Sequence, residues 1–314
     1  MGLYLVTGAA GFIGSALAEK LVKRGHQVVT IDNLSTGVRE HIPEGVEFIE
    51  GNTYDSAPLG KLNNRKFDAI YHIAGQSGGV TCWEDPIYDL NSNVTSTLLL
   101  LDYAKRTGCK IFIYASSMSV YGDENPCPVR EDDNIKPKTF YAVGKNASEH
   151  YMRIYSAEYG IKCTALRLNN TYGPGQNMDN LRQGMASIFL AQAIKDHHIV
   201  VMGDKNRYRD FVYIEDTVNA FLLAEQGKEK ELYNYYTTCT NTKTTCGQLV
   251  ELIQSLLPYE VTVEYKGRTQ GDQFGIFCSY EKILNALGWE PKTKLTEGMK
   301  AMVQWARGVM KDPD

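Results

Sequence analysis

An apolar stretch, Leu3-Tyr4-Leu5-Val6, runs straight into Thr7-Gly8-Ala9-Ala10-Gly11-Phe12-Ile13-Gly14, and an amphipathic helical pattern follows over 13–24. Strand, glycine loop and helix in that order leave few folds open. Gly8 permits a tight turn, Gly11 lets the backbone approach a pyrophosphate, and Gly14 lets helix and strand close up. The helix N-terminus then offers free N–H groups and positive potential to phosphates. The glycines are spaced three and three, where the commoner dinucleotide fingerprint has two and three. Taken alone, such a loop also reads as an ordinary Gly-rich turn.

The chain that follows narrows the choice. Runs rich in Val, Ile and Tyr at 28–31, 46–50, 69–73, 111–115 and 163–168 read as strands, with helical patterns at 94–105 and 142–159 between them. Alternation of this kind predicts right-handed βαβ units: an α/β, Rossmann-type doubly wound parallel sheet. The second strand ends at Asp32, about two dozen residues after Gly8, near where a ribose-binding carboxylate is expected. A carboxylate there accepts from both ribose hydroxyls and repels a 2′-phosphate, which favours NAD over NADP. The second half is more mixed, with helical patterns at 186–195, 214–224, 245–256, 280–287 and 295–305 among short strands and turns such as Tyr172-Gly173-Pro174-Gly175. We assign 1–168 with about 207–236 to the NAD-binding domain. Residues 169–206 and 237–314 form a smaller mixed α/β C-terminal lobe for substrate.

Composition removes other classes. A net charge of −4, with no block of Lys or Arg, argues against nucleic acid. No apolar run reaches membrane-span length, and 3–6 lacks the basic flank of a leader, so a cytoplasmic protein without a membrane partner is expected. Seven cysteines, none in a Cys-x-x-Cys pair, read as reduced thiols. No metal site is expected.

The reactive end is less direct. Tyr141 and Lys145 are four apart on a helical pattern and so share a face. A tyrosine titrating near 10 is a poor base at neutral pH; an ammonium beside it, and a cationic nicotinamide, would lower it toward 7. Ser116-Ser117 follows the strand-like run 111–115, where ligands bind in open α/β sheets. Each feature has a bland reading as a surface pair or a loop serine. Glycine loop, strand-end serine and Tyr/Lys pair in sequence make the bland readings poor together.

These residues resemble the extended short-chain dehydrogenase/reductase family, in its nucleotide-sugar epimerase and dehydratase branch. The resemblance runs from Thr7 to about Trp305. It includes Asp32-Asn33-Leu34-Ser35-Thr36-Gly37, Tyr71-His72-Ile73-Ala74, Ser116-Ser117-Met118-Ser119-Val120-Tyr121-Gly122 and Tyr141-Ala142-Val143-Gly144-Lys145. It continues through Asn170-Thr171-Tyr172-Gly173-Pro174-Gly175, Arg209-Asp210-Phe211-Val212-Tyr213 and Leu287-Gly288-Trp289-Glu290-Pro291. The resemblance implies NAD held by Gly8, Gly11, Phe12, Ile13, Gly14, Asp32, Asn33, Asn52, Ala74, Asn93, Tyr141 and Lys145. It implies Ser117, Tyr141 and Lys145 as catalytic residues. It implies a nucleotide-sugar bound by Ser117, Asn170, Arg209, Arg268 and Asp272, and a homodimer through the helices at 94–105 and 142–159.

Within the branch, the related 4,6-dehydratases carry Asp-Glu where this chain has Met118-Ser119, and Met118 cannot do acid chemistry. The first part looks most like the 4-epimerases of UDP-hexoses, which pass through a transient 4-keto sugar. An epimerase acting at another carbon, a 4-ketoreductase, a dehydratase and a non-catalytic NAD-binding protein are the other readings. The chain departs from the family at Asn52, where Asp is usual near the adenine. It departs again at Thr269, where an arginine is usual and Arg268 stands adjacent, and across Arg182-Gln183-Gly184-Met185.

Overall fold

The computed structural model describes residues 1–267, 271 and 273–311. One all-parallel sheet contains β1 (Leu3–Thr7), β2 (Gln27–Asp32), β3 (Val46–Glu50), β4 (Ala69–His72), β5 (Ile111–Ser117), β6 (Lys162–Leu168) and β7 (Tyr233–Thr238). Their order is β7-β6-β5-β4-β1-β2-β3. The order reverses beside β1, so a crevice opens at the carboxyl ends of β1 and β4, the ligand position of such sheets. Central β4 has all four residues buried. Edge strand β3 keeps Glu47 and Glu50 exposed, charges that discourage pairing with another chain.

Both faces are covered, which explains the near-continuous apolar runs. Leu17 and Leu21 of α1 (Phe12–Lys23) meet Val6 and Ile113 on one face. On the other, Leu100 and Leu101 of α2 (Ser96–Thr107) and Met152 of α3 (Phe140–Tyr159) meet Leu5 and Phe112. Leu5 and Val6 point to opposite sides because strand side chains alternate. Burying each such leucine contributes about 1.5–3 kcal/mol.

Two helix starts matter for the site. Thr139 caps α3, its hydroxyl accepting from the Ala142 N–H at 3.1 Å, which puts Tyr141 in the first turn and Lys145 one turn on. Before α2 the helix widens into a π turn, Asn91–Thr95, instead of the regular helix expected from 94. The chain is continuously helical there from Pro86, and the wider turn keeps Asp89 and Asn93 on the inward side.

A second core gathers Leu190, Leu249 and Met302 from helices Met185–Asp196, Cys246–Leu256 and Leu295–Met310. Thr245 and Gln248 form a capping box on the middle one. Helix Glu281–Leu287 lies with the first core instead: Ile283 and Trp289 are buried there, and Trp289 Nε1 donates to the Asp216 carbonyl at 2.9 Å. All seven cysteines are free thiols, and Cys127 alone is not fully buried.

Candidate active site

The crevice beside β1 deepens into a cleft of about 1000 Å³ that runs from the glycine loop across the end of β5 to the second core. Its floor is pinned by Thr7. The Thr7 hydroxyl oxygen accepts from the Ile73 and Ala74 N–H groups at 3.1 Å each, and its proton goes to His72 Nδ1 at 2.9 Å. Burial pushes His72 down to about 3, so it is neutral. Gly8 has φ +79°, and a Cβ there would lie 2.9 Å from Ala74 N. A Cβ on Gly14 would fall 2.1 Å from the Gly8 carbonyl oxygen. Both positions require glycine.

The predicted cofactor residues fall along one end of this cleft. Gly8, Gly11, Phe12, Ile13 and Gly14 line it at the start of α1, with Asp32, Asn33, Asn52 and Ala74 opposite. Asp32 is held by the Ala10 N–H at 3.0 Å and the Leu34 N–H at 2.8 Å. One bond to each oxygen aims the carboxylate and leaves lone pairs toward the cleft. Burial raises its pKa, against those backbone bonds. Asn33 donates to Asn52 Oδ1 at 2.7 Å, and Asn52 donates to Asp55. Asn93 does not line the cleft. It is fully buried behind Gly75, because its amide is drawn inward to the Gln76 carbonyl and Asp89.

At the other end, β5 finishes on Ser117. Its Oγ accepts from Ser119 Oγ at 3.0 Å, which leaves its own proton free for the neighbouring Tyr141 phenol, whose acidity it increases. Lys145 Nζ donates to the Ala115 carbonyl at 2.8 Å and lies 5.5 Å from the Tyr141 ring centre. The chain's own groups do not favour a phenolate. Burial pushes Tyr141 up to about 12, the Ser117 bond pulling it down and Asp89 adding to the rise. Burial likewise brings Lys145 down to about 7, although Asp89 and Glu149 oppose that. The chain's own groups therefore leave the phenol protonated, and a phenolate needs added positive charge.

Asn170 and Arg209 line the far wall. Arg209 donates to the carbonyls of Tyr208 at 2.7 Å and Gln273 at 2.9 Å. Burial and neighbouring Arg207 lower it to about 10. Asn170 Oδ1 and Gln176 Oε1 are buried at this wall with no hydrogen-bond partner among the described residues. Arg268 and Asp272, the remaining predicted substrate residues, lie outside the described residues. Sequence reasoning missed Gln76, Lys138 and Asn177 along the cleft and Asp89 behind it, whereas Gln183 lies in the segment 182–185 already marked as a departure. Arg182 pairs with Glu84 at 2.8 Å and Gln183 bonds Ser77, so the segment 176–184 reaches across the mouth. Only the Asp89/Asn93 spacing of four carried a signal that could have been read.

The sequence model of the NAD dependent epimerase/dehydratase family matches residues 4–235. The chain belongs to that family. It is an NAD-dependent enzyme acting in the epimerase/dehydratase class. A UDP-glucose 4-epimerase of Mycolicibacterium smegmatis is 31% identical over 309 residues, covering 96% of this chain and 98% of that protein. UDP-glucuronic acid decarboxylase 1 of Arabidopsis thaliana is also 31% identical over 309 residues, covering 95% of this chain and 68% of that protein. The solved UDP-glucose 4-epimerase of Thermotoga maritima, with UDP-glucose, superposes with a TM-score of 0.94 at 32% identity, covering 98% of this chain and 99% of that one. The cleft fits the family's cofactor: a glycine loop that excludes Cβ atoms, a helix start and an aimed carboxylate converge on one end. No helix among the described residues is long and apolar enough to cross a membrane.

Proposed function

We propose that the protein is a nucleotide-sugar 4-epimerase whose substrate is a UDP-hexose. The observation that carries this reading is the convergence of the Ser119–Ser117 hydrogen bond and the Tyr141 phenol at the end of β5, with Lys145 nearby and, along the far wall, Asn170 Oδ1 and Gln176 Oε1 buried without hydrogen-bond partners among the described residues. Ser117 bridges the sugar 4-hydroxyl and Tyr141, and Tyr141 receives the hydroxyl proton. Bound NAD supplies the hydride acceptor and donor. Tyr141 returns the proton after the 4-keto sugar has presented its other face, so no net oxidation occurs. Lys145 holds positive charge beside the phenol and would help to hold the cofactor. Gly8, Gly11, Phe12, Ile13, Gly14, Asp32, Asn33, Asn52 and Ala74 hold the cofactor, and Asn93 supports that wall from behind.

Asn170 and Arg209 take the diphosphate, with Arg268 and Asp272 assigned to the same end by resemblance. A guanidinium suits this work because it pairs with phosphate oxygens in a fork. Met118 lines the cleft where elimination of water needs an acid, and its thioether has no proton to give. The cofactor domain comprises 1–168 with about 207–236, and the substrate lobe is 169–206 with 237–314. The working form is a cytoplasmic homodimer. Ile87, Leu90, Val143 and Ile154 support this, since all are at least 48% exposed around α2 and α3.

The test is turnover of a panel of UDP-, dTDP-, GDP- and CDP-sugars without added cofactor, with the product read by NMR. A product of unchanged mass inverted at C4 is expected from a UDP-hexose. The relative named as a decarboxylase makes UDP-glucuronic acid a necessary member of the panel. Loss of carbon dioxide or of water, or turnover only with added NADH, refutes the epimerase reading.

A further inference from the structure

Asp89 is a buried acid behind the site that the reaction just described does not use. It is 1% exposed, on the inward side of the chain just before the π turn Asn91–Thr95. π turns inside helices recur at functional sites because the extra residue re-aims a side chain. Here Asp89 Oδ1 receives Gln76 Nε2 at 2.9 Å and Asn93 Nδ2 at 3.3 Å. Its other oxygen faces α3, where a Cβ on Gly144 would stand 3.7 Å from Oδ2. Gly144 directly precedes Lys145, so the missing side chain lets the carboxylate approach the helix at that turn.

Lys145 Nζ and Asn93 Oδ1 meet at the same spot. A Cβ on Gly75 would lie 2.6 Å from Asn93 Oδ1 and 3.3 Å from Lys145 Nζ. Asn93 Oδ1 is buried without a hydrogen-bond partner among the described residues, an acceptor turned toward the ammonium. Two polar groups, Asp89 and Asn93, each packed against a glycine, therefore lie close to Lys145. The titratable groups facing Asp89 are Tyr141 and Lys145 from α3 and Cys82 from the short helix Thr81–Glu84. Those facing Lys145 are Asp89, Glu149, the neutral His72 below, and the phenols of Tyr114, whose ring centre is 4.6 Å from Nζ, and Tyr141. Glu149 is already committed to Arg167 at 2.7 Å and to Ser116 at 2.5 Å. Asp89 is the carboxylate left for Lys145.

We propose that Asp89 is a positioning residue of this enzyme: as the buried counter-charge of Lys145, it keeps that ammonium charged and fixes the Asn93 carboxamide beside it. Lys145 without a partner charge loses its proton when buried, and an uncharged amine cannot favour a phenolate. Asp89 has the opposite direct effect on Tyr141, since its charge disfavours phenolate. The arrangement keeps Tyr141 neutral while Lys145 stays charged, so the base is generated only when further positive charge enters the cleft.

This inference rests on the epimerase reading for its consequence but not for its test. In cofactor-free protein carrying 13Cε-labelled lysine, the Lys145 resonance, identified by its loss in Lys145→Arg, is titrated by NMR. Asp89→Asn keeps the size and an acceptor oxygen but removes the charge. It lowers the Lys145 midpoint by about 1–3 units, and Asp89→Glu restores it. In the wild type the Lys145 signal also shows a smaller inflection near pH 6, where Asp89, raised to about 6 by burial, takes up its proton. A midpoint unmoved in Asp89→Asn overturns the proposal. If that variant does not fold, a single-step wild-type curve overturns it equally. Failure of the sugar panel with the NMR shifts intact would instead refute the substrate reading alone.

Discussion

Removing the Lys145 charge gives the sharpest test of the proposal that Tyr141 acts as a base. Tyr141 sits at about 12 among the chain's own groups. At pH 7 the phenolate is then about five units, roughly 7 kcal/mol, uphill. An opposite charge within about 4–6 Å lowers such a pKa by about 1–3 units. Lys145, 5.5 Å from the ring centre, is one such charge once protonated, and the nicotinamide of bound NAD would supply the other. Together they span most of the gap, and neither does so alone. Lys145→Met should therefore lower kcat about 10- to 1000-fold, one to three units of lost phenolate stabilisation. Tyr141→Phe should lower it about 100- to 10,000-fold, the usual worth of a positioned general base. The double variant should be no slower than Tyr141→Phe, because Lys145 acts through the phenol. Turnover is measured by NMR at saturating UDP-hexose, with retained NAD quantified by absorbance in each preparation. If Lys145→Met keeps NAD and stays within about threefold of wild-type kcat, the charge argument is wrong.

Other perturbations address the cofactor end, the fold and the assembly. Asp32→Ala removes the aimed carboxylate; NAD affinity, read by fluorescence titration, should fall at least about tenfold while the preference over NADP narrows. An unchanged preference would show that Asp32 does not discriminate. Glu149→Gln leaves the Arg167 guanidinium, 6% exposed, without its paired charge. Breaking a buried pair costs about 3–5 kcal/mol, so the urea midpoint should drop; a loss below about 1 kcal/mol would mean that Tyr121 and the Glu131 carbonyl hold Arg167 unaided. Burial raises Asp210 from 3.8 to about 6. The folded chain then holds a proton that the unfolded chain has released, so this group lowers stability as pH climbs from about 4 to 6, by about 3 kcal/mol in all. Asp210→Asn should flatten that part of the stability–pH curve, and parallel curves would refute the shift. Val143→Asp with Ile154→Glu should convert a dimer to monomer in light scattering, and an unchanged mass would move the interface elsewhere.

The legible parts of this chain are those where one local rule settles the outcome. Strands β1 to β6 and helices α1 and α3 fall within a residue or two of their expected ends, because a parallel sheet covered on both faces leaves long apolar runs bounded by glycine and charge. Asp32, Ser117, Tyr141 and Lys145 were readable for a similar reason: each sits at the end of a strand or in the first turns of a helix. Their protonation was not readable, since it depends on burial among residues distant in sequence. The same Tyr/Lys spacing that promises a phenolate yields a neutral phenol once β5 and Asp89 enclose it. Asp89 itself looks like an ordinary helix-surface acid until the π turn rotates it inward. Asn93 looks like a pocket residue until its amide is drawn behind Gly75. Substrate choice is hidden more deeply still. The mouth is made by Ser77, Glu84, Arg182 and Gln183, which meet only because the loop 176–184 crosses the segment 77–84. Such a crossing carries no hydrophobic period, so the residues at the end of β5 could be picked out from the sequence while the contacts across the mouth could not.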